Sequence, residues 1–193
     1  MNRRVAMPEA FHRGAVLVAI AREAIAEGLG LSAVPERGET WLARPGATFV
    51  TLRIEEALRG CIGSVDPRRP LGVDVAANAR AAAFSDPRFS PLSQAEFETV
   101  RVEVSVLSPR MPLDVTGESD AAARLRPGVD GVYLEYQGRS ATFLPQVWES
   151  LPDPVEFLAA LRDKARLPAR FWDPGIRLTR YTVEKYADGH PAG

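Results

Sequence analysis

The chain carries a single cysteine, Cys61, with Arg59 two residues before it. In an extended strand side chains alternate, so Arg59, Cys61 and Gly63 share one face while Leu58, Gly60 and Ile62 share the other. A guanidinium that close to a thiol favours the thiolate, which makes Cys61 a candidate nucleophile with Arg59 in support. Gly60 and Gly63 carry no side chain, so a ligand or another backbone could approach closely there. A nucleophilic cysteine also needs a base. The two histidines are poorly placed for that role, His12 on a first helix and His190 in a C-terminal tail. The competing expectation is that Cys61 is a small apolar residue of a packed interior.

Further polar residues gather around that pair. Asn78 shares a helical stripe with Leu71, Val75 and Ala82, and a buried amide there needs hydrogen-bond partners. Asp86 and Arg88 stand in a loop pinned by Pro87 and Pro91. Glu103 and Ser105 alternate with the valines of a strand. If that strand lies beside the strand of Cys61, then Arg59, Cys61, Glu103 and Ser105 line one surface, and Glu103 could assist the thiol. Gly60, Gly63, Asn78, Asp86 and Arg88 would border the same site. Equally, these residues could form an arginine–carboxylate network that fastens the loop to the sheet. Arg68-Arg69 reads as a solvated step in a turn rather than a phosphate site.

The elements that must position these residues follow from periodicity. A helix is predicted from Pro8 to Leu29, with Leu17, Ile20 and Ala24 on one face and Gly28 and Gly30 as stops. A loop through Pro35, Gly38, Pro45 and Gly46 leads to strands at Thr48–Leu52 and Leu58–Ile62. Pro70 opens a second helix to Phe84. Ser93 and Glu96 have capping-box spacing, and Val100 to Leu107 alternates as a strand. Val132–Tyr136 and Ser140–Leu144 read as a hairpin turned by Gln137-Gly138. A short helix at Pro145–Leu151 follows, then one capped by Asp153 with Pro154 at its first position, ending near Arg166. Ile176 to Val183 is a last strand, and 186–193 a flexible tail. The order strand, strand, helix, helix, strand thus occurs over 47–107 and again over 132–184, which suggests an internal duplication. The expected class is α+β with mainly antiparallel sheets and packed helices, in a larger lobe of about 8–125 and a smaller one of about 126–185.

Composition narrows the function classes. The formal net charge is −1, so no global field points to nucleic acid, membrane or a strongly acidic partner. Of 24 basic residues only Lys164 and Lys185 are lysine, a bias that a GC-rich coding sequence explains. One cysteine excludes an intramolecular disulfide, and no apolar run suits a secretory signal or a membrane span; a cytoplasmic location is expected. No His/Cys metal cluster, P-loop or dinucleotide glycine pattern is present in the sequence. No metal and no cofactor is therefore expected.

Several ordered motifs carry a family resemblance. Gly46-Ala47-Thr48-Phe49-Val50-Thr51-Leu52 followed by Leu58-Arg59-Gly60-Cys61-Ile62-Gly63 resembles the signature region of the AMMECR-type family. Asn78 with Ala82-Ala83-Phe84, Asp86-Pro87-Arg88-Phe89, Pro91-Leu92, Val102 to Leu107, Leu144 to Val147, Phe157-Leu158 and Lys164-Ala165 extend the match in order. It covers roughly residues 10–185. One departure is Arg166, where the family usually has glycine. The resemblance implies an α+β fold with a larger and a smaller subdomain. It also implies kinship with protein A of a three-part system that includes a Memo-type protein and a radical SAM enzyme. On that basis the expected role is a binding or adaptor component acting with those partners around Leu58–Gly63. The alternative is an enzyme with Cys61 as nucleophile and Arg59 and Glu103 in support.

Overall fold

The computed structural model describes residues 9–31, 37–168 and 170–188; Pro8, Pro35 and His190 lie outside the described residues. In chain order the first elements are α1 (Glu9–Gly28), β1 (Pro45–Gly46), β2 (Thr48–Ile54), β3 (Ala57–Gly63), β4 (Arg69–Pro70), α2 (Leu71–Phe84), α3 (Gln94–Thr99) and β5 (Arg101–Leu107). They are followed by β6 (Met111–Pro112), α4 (Glu118–Arg124), β7 (Gly131–Tyr136), β8 (Arg139–Phe143), α5 (Pro154–Lys164), β9 (Arg177–Tyr181) and β10 (Val183–Ala187). The fold is α+β: four-stranded sheets of order β10-β5-β2-β3 and β6-β9-β7-β8, and a two-stranded pair β1-β4. The registers of β1–β4, β2–β3, β2–β5, β6–β9, β7–β8 and β7–β9 are all antiparallel.

The chain divides into two compact units, Met1–Val106 with Glu184–Gly193, and Leu107–Val183. The division expected at about 125/126 thus falls inside the second unit, because α4 and the loop after β6 contribute Leu113, Ala121 and Leu125 to that unit's core. Helix α4, strand β10 and the two-residue strands β1, β4 and β6 went unpredicted. Predicted tail residues Tyr186 and Ala187 belong to β10, and Asp188 fastens its end: the carboxylate accepts from Arg22 (2.7 Å) and from Val102 N–H (3.0 Å). The segment Pro145–Glu149 is a 3-10 turn, tighter than the predicted helix.

In the first unit, alternation buries Val50 and Leu52 of β2 and Val102 and Val104 of β5 against Leu17, Ala21, Ala24 and Ile25 of α1 and Val75, Ala79 and Ala82 of α2. Alanine, the best helix former, occupies six of the eight positions from Ala76 to Ala83 and lets α2 sit close to its neighbours. The helix ends before Pro87, which disfavours helical backbone at Asp86. Ser93 and Glu96 form the predicted reciprocal capping box on α3.

In the second unit the turn residues Gln137 (φ 46°) and Gly138 (φ 78°) are both left-handed, as a two-residue I′ hairpin requires. Asp153 caps α5 by accepting from Val155 N–H (2.8 Å) and Glu156 N–H (3.0 Å). Phe157 of α5 stacks on Trp148 at 3.8 Å between ring centroids and meets Phe143 edge-on at 5.2 Å. Among the described residues, no helix is long and apolar enough to cross a membrane.

Candidate functional site

Strand β3, which holds Arg59, Gly60 and Cys61, lies at one end of its sheet and pairs on one side with β2. Cys61 faces Thr51 across that pair, and the thiol Sγ lies 3.4 Å from Thr51 Oγ1. The N–H and C=O of Cys61 point away from β2 to the free edge, which makes Thr51–Cys61 a non-hydrogen-bonded pair with close side chains. The edge groups are not left open. Asp86 Oδ2 accepts from Cys61 N–H at 2.9 Å, and Arg88 Nη2 donates to Cys61 C=O at 3.2 Å. Arg88 closes the arrangement with two bonds to the Asp86 carboxylate, 2.9 Å from Nε and 2.7 Å from Nη2.

Asp86 is nearly inaccessible whereas Arg88 is about half exposed. The Arg88 guanidinium holds the Asp86 carboxyl well below the usual carboxylate range; burial opposes this, and the N–H groups of Cys61 and Arg88 reinforce it. The same contact with Asp86 raises Arg88 above its ordinary value.

Arg59, expected to support the thiol, is held by the Glu96 carboxylate. Its Nε and Nη2 grip Glu96 at 2.8 and 3.1 Å, and Nη2 also donates to Ser90 C=O at 3.0 Å. The Arg59 contact, followed by the N–H of Ser93, draws the Glu96 carboxyl down to about 2. Phe89 lies under both guanidinium groups, 5.8 Å from that of Arg59 and 5.5 Å from that of Arg88. Arg59 and the Asp86–Arg88 pair therefore tie the 86–96 segment along the edge of β3.

The two signature glycines are filled by the protein itself. A Cβ on Gly60 would lie 2.2 Å from the Ala82 carbonyl oxygen of α2, and one on Gly63 would lie 2.3 Å from the Phe49 ring. Leu58, across a register shift at Leu52/Arg53, is half-buried, while Ile62 packs on the core.

Glu103 and Ser105 do not stand beside β3, because β2 lies between β3 and β5. Glu103 pairs with Thr51 and Ser105 with Phe49. Glu103 and Cys61 thus share a cross-strand row but are separated by two strand spacings, about 10 Å. His12 is exposed on α1.

Asn78 belongs to a second, buried cluster. Its Nδ2 donates to Thr48 C=O (2.9 Å) and to Asp74 Oδ2 (2.9 Å). Asp74 also accepts from Thr48 N–H (2.9 Å), Thr48 Oγ1 (2.7 Å), Ser64 Oγ (2.7 Å) and Arg69 Nη2 (2.8 Å). Sequence reasoning missed Asp74, although it stands on the same stripe, three residues after Leu71 and four before Asn78. It also set Arg69 aside as solvated, and Arg69 is half of a buried-carboxylate pair; Arg68 is the exposed member of that step.

A model of the AMMECR1 family matches residues 18–186. The chain belongs to the AMMECR1 family. Among its relatives is a Methanothermobacter thermautotrophicus protein, 39% identical over 181 residues, covering 89% of this chain and 92% of that one. An Aeropyrum pernix protein is 38% identical, with 93% and 80% covered. The crystal structure of the uncharacterized protein PH0010 from Pyrococcus horikoshii superposes with a TM-score of 0.81 at 33% identity and covers 93% of each chain. The segment Leu58–Gly63 is thus an edge strand whose Cys61 backbone and Arg59 Nε and Nη2 are bonded from within its own unit.

Proposed function

We propose that this AMMECR1-family chain is a binding component, an adaptor that acts with Memo-type and radical SAM partners through the surface around Leu58–Gly63. The observation that carries this reading is how the signature's charges are used. Glu96 holds Arg59, Asp86 and Arg88 hold the backbone of Cys61, and the polar neighbours of the thiol are the Thr51 hydroxyl and the Arg88 guanidinium. Among the described residues no carboxylate or imidazole stands within hydrogen-bond distance of Cys61 Sγ to take its proton, which argues against the nucleophile alternative. A strand edge braced by these contacts presents a preformed surface, and preformation lowers the entropy cost of docking. Glu103, Thr51, the half-exposed thiol and Arg88 supply its polar features.

The test is binding of the purified chain to a Memo-type protein, measured by titration calorimetry. Reversing the surface charge with Glu103→Lys together with Arg88→Glu is expected to weaken binding by about tenfold or more, roughly 1.4 kcal/mol. Circular dichroism has to show the variant still folded. Unaltered affinity in that folded variant would remove this surface from the role.

A further inference from the structure

The 86–96 segment lies along the edge of β3, yet no backbone–backbone hydrogen bond among the described residues joins residues 85–93 to that strand. Side chains alone make the connection: Asp86 receives the Cys61 N–H, Arg88 supplies a donor to the Cys61 C=O, and Arg59 reaches across to Ser90 and Glu96. One acceptor and one donor presented to the same residue are what a neighbouring strand would offer. We infer that the Asp86–Arg88 pair is an edge stopper, standing where a further strand would pair and keeping β3 from joining the β3 of a second copy of this chain.

The edge is self-complementary, which is why it needs a stopper. On the period of two Gly63 shares that edge with Cys61, and on the other side stands Arg59, the residue of β3 skipped at the register shift. An antiparallel second copy aligned on Cys61 would place each Arg59 opposite the other copy's Gly63. No like charges would meet and no bulky pair would collide. Unblocked edges of this kind are templates for association, and charged side chains directed at them are a recognised guard. The Asp86 carboxyl is held well below the usual carboxylate range, so the guard stays charged through the ordinary pH range.

The test compares the wild-type chain with Asp86→Ala/Arg88→Ala, using light scattering behind gel filtration over a concentration series and amide hydrogen exchange. In the double variant the apparent mass is expected to rise toward twice its dilute value, with the dimerisation constant at least about tenfold tighter than in wild type. The Cys61 amide should exchange faster than in wild type when dilute and regain protection when concentrated, which separates edge pairing from unspecific aggregation. A folded double variant whose mass and Cys61 exchange do not depend on concentration beyond the wild-type behaviour would overturn the inference. Arg88→Ala alone, whose side chain is 52% exposed, guards against loss of the fold; it should shift in the same direction at higher concentration. If the double variant unfolds, an Arg88→Ala chain that behaves as wild type overturns the inference as well.

Discussion

The two units share a strand order but hold their helices by opposite means. In each, a hairpin's first strand also takes the strand that returns later in the chain, giving β3-β2-β5 in one and β8-β7-β9 in the other. The second hairpin strand is the edge in both, and in both a cation covers an edge carbonyl, Arg88 on Cys61 and Lys164 on Thr142. The inner faces then diverge. The first unit brings α2 down to the sheet with small residues, Gly60 under the Ala82 carbonyl, and anchors it through buried Asp74 and Asn78. The second packs Phe157 of α5 against Trp148 and Phe143 instead. At the position paired like Gly60, it has Ala141, opposite Leu134 as Gly60 is opposite Leu52. The signature glycine therefore reports how closely a helix approaches, not an opening for a ligand.

The largest expected effect is on the polar anchor. Asp74→Ala leaves Thr48 N–H, Asn78 and Arg69 without their acceptor, and removing one partner of a buried charge network costs about 3–5 kcal/mol. Urea unfolding measures it; a loss below about 1 kcal/mol would mean that small-residue packing, not the anchor, holds α2, and the contrast would have to be redrawn. Next comes Gly60→Ala, whose new Cβ meets backbone that cannot swing aside. Overpacking of this kind costs about 1–3 kcal/mol, whereas Ala141→Gly in the second unit should cost only about 0.5–1 kcal/mol. Equal costs would erase the distinction between the two helix seats.

The smallest effect is a gain. Helix α5 ends in a Schellman arrangement, with Leu167 N–H bonded to Arg162 C=O (2.9 Å) and Arg166 N–H to Asp163 C=O (2.8 Å). Arg166 holds the left-handed position at φ 59°, where a side chain is strained. Arg166→Gly should therefore stabilise by about 0.5–1 kcal/mol, since relief of the left-handed penalty exceeds the extra entropy lost by glycine. A lowered melting temperature would show that the Arg166 side chain contributes more than its backbone strain costs. The sequence had marked this position already, as the place where this chain departs from the glycine usual in its family.

Much of the local architecture was legible for the same reason that position was. The capping box of Ser93 and Glu96, the N-cap at Asp153 and the Gln137-Gly138 turn all depend on residues a few positions apart. The alternation of Val102, Val104 and Val106 placed β5 almost to the residue. The strand β10 escaped because Val183–Ala187 is largely polar and exposed, with no alternation to announce it. Helix α4 escaped because it is short and buries one residue, Ala121.

Sequence by itself determined the family, the α+β class, most element positions and the separation of Arg59 and Cys61 from the core-facing Ile62. Those conclusions rest on composition, motif order and periods of two and 3.6 residues, all carried by neighbours in the chain. Tertiary structure alone decided the pairings. It set β2 between β3 and β5, which takes Glu103 away from Cys61, and it gave Arg59 to Glu96, 37 residues distant, rather than to the thiol. It also put the Ala82 carbonyl on Gly60 and the Asp86–Arg88 pair on the backbone of Cys61. The physical reason is that these contacts depend on which strand joins which edge and how closely a helix can approach, and no local period in the chain encodes either.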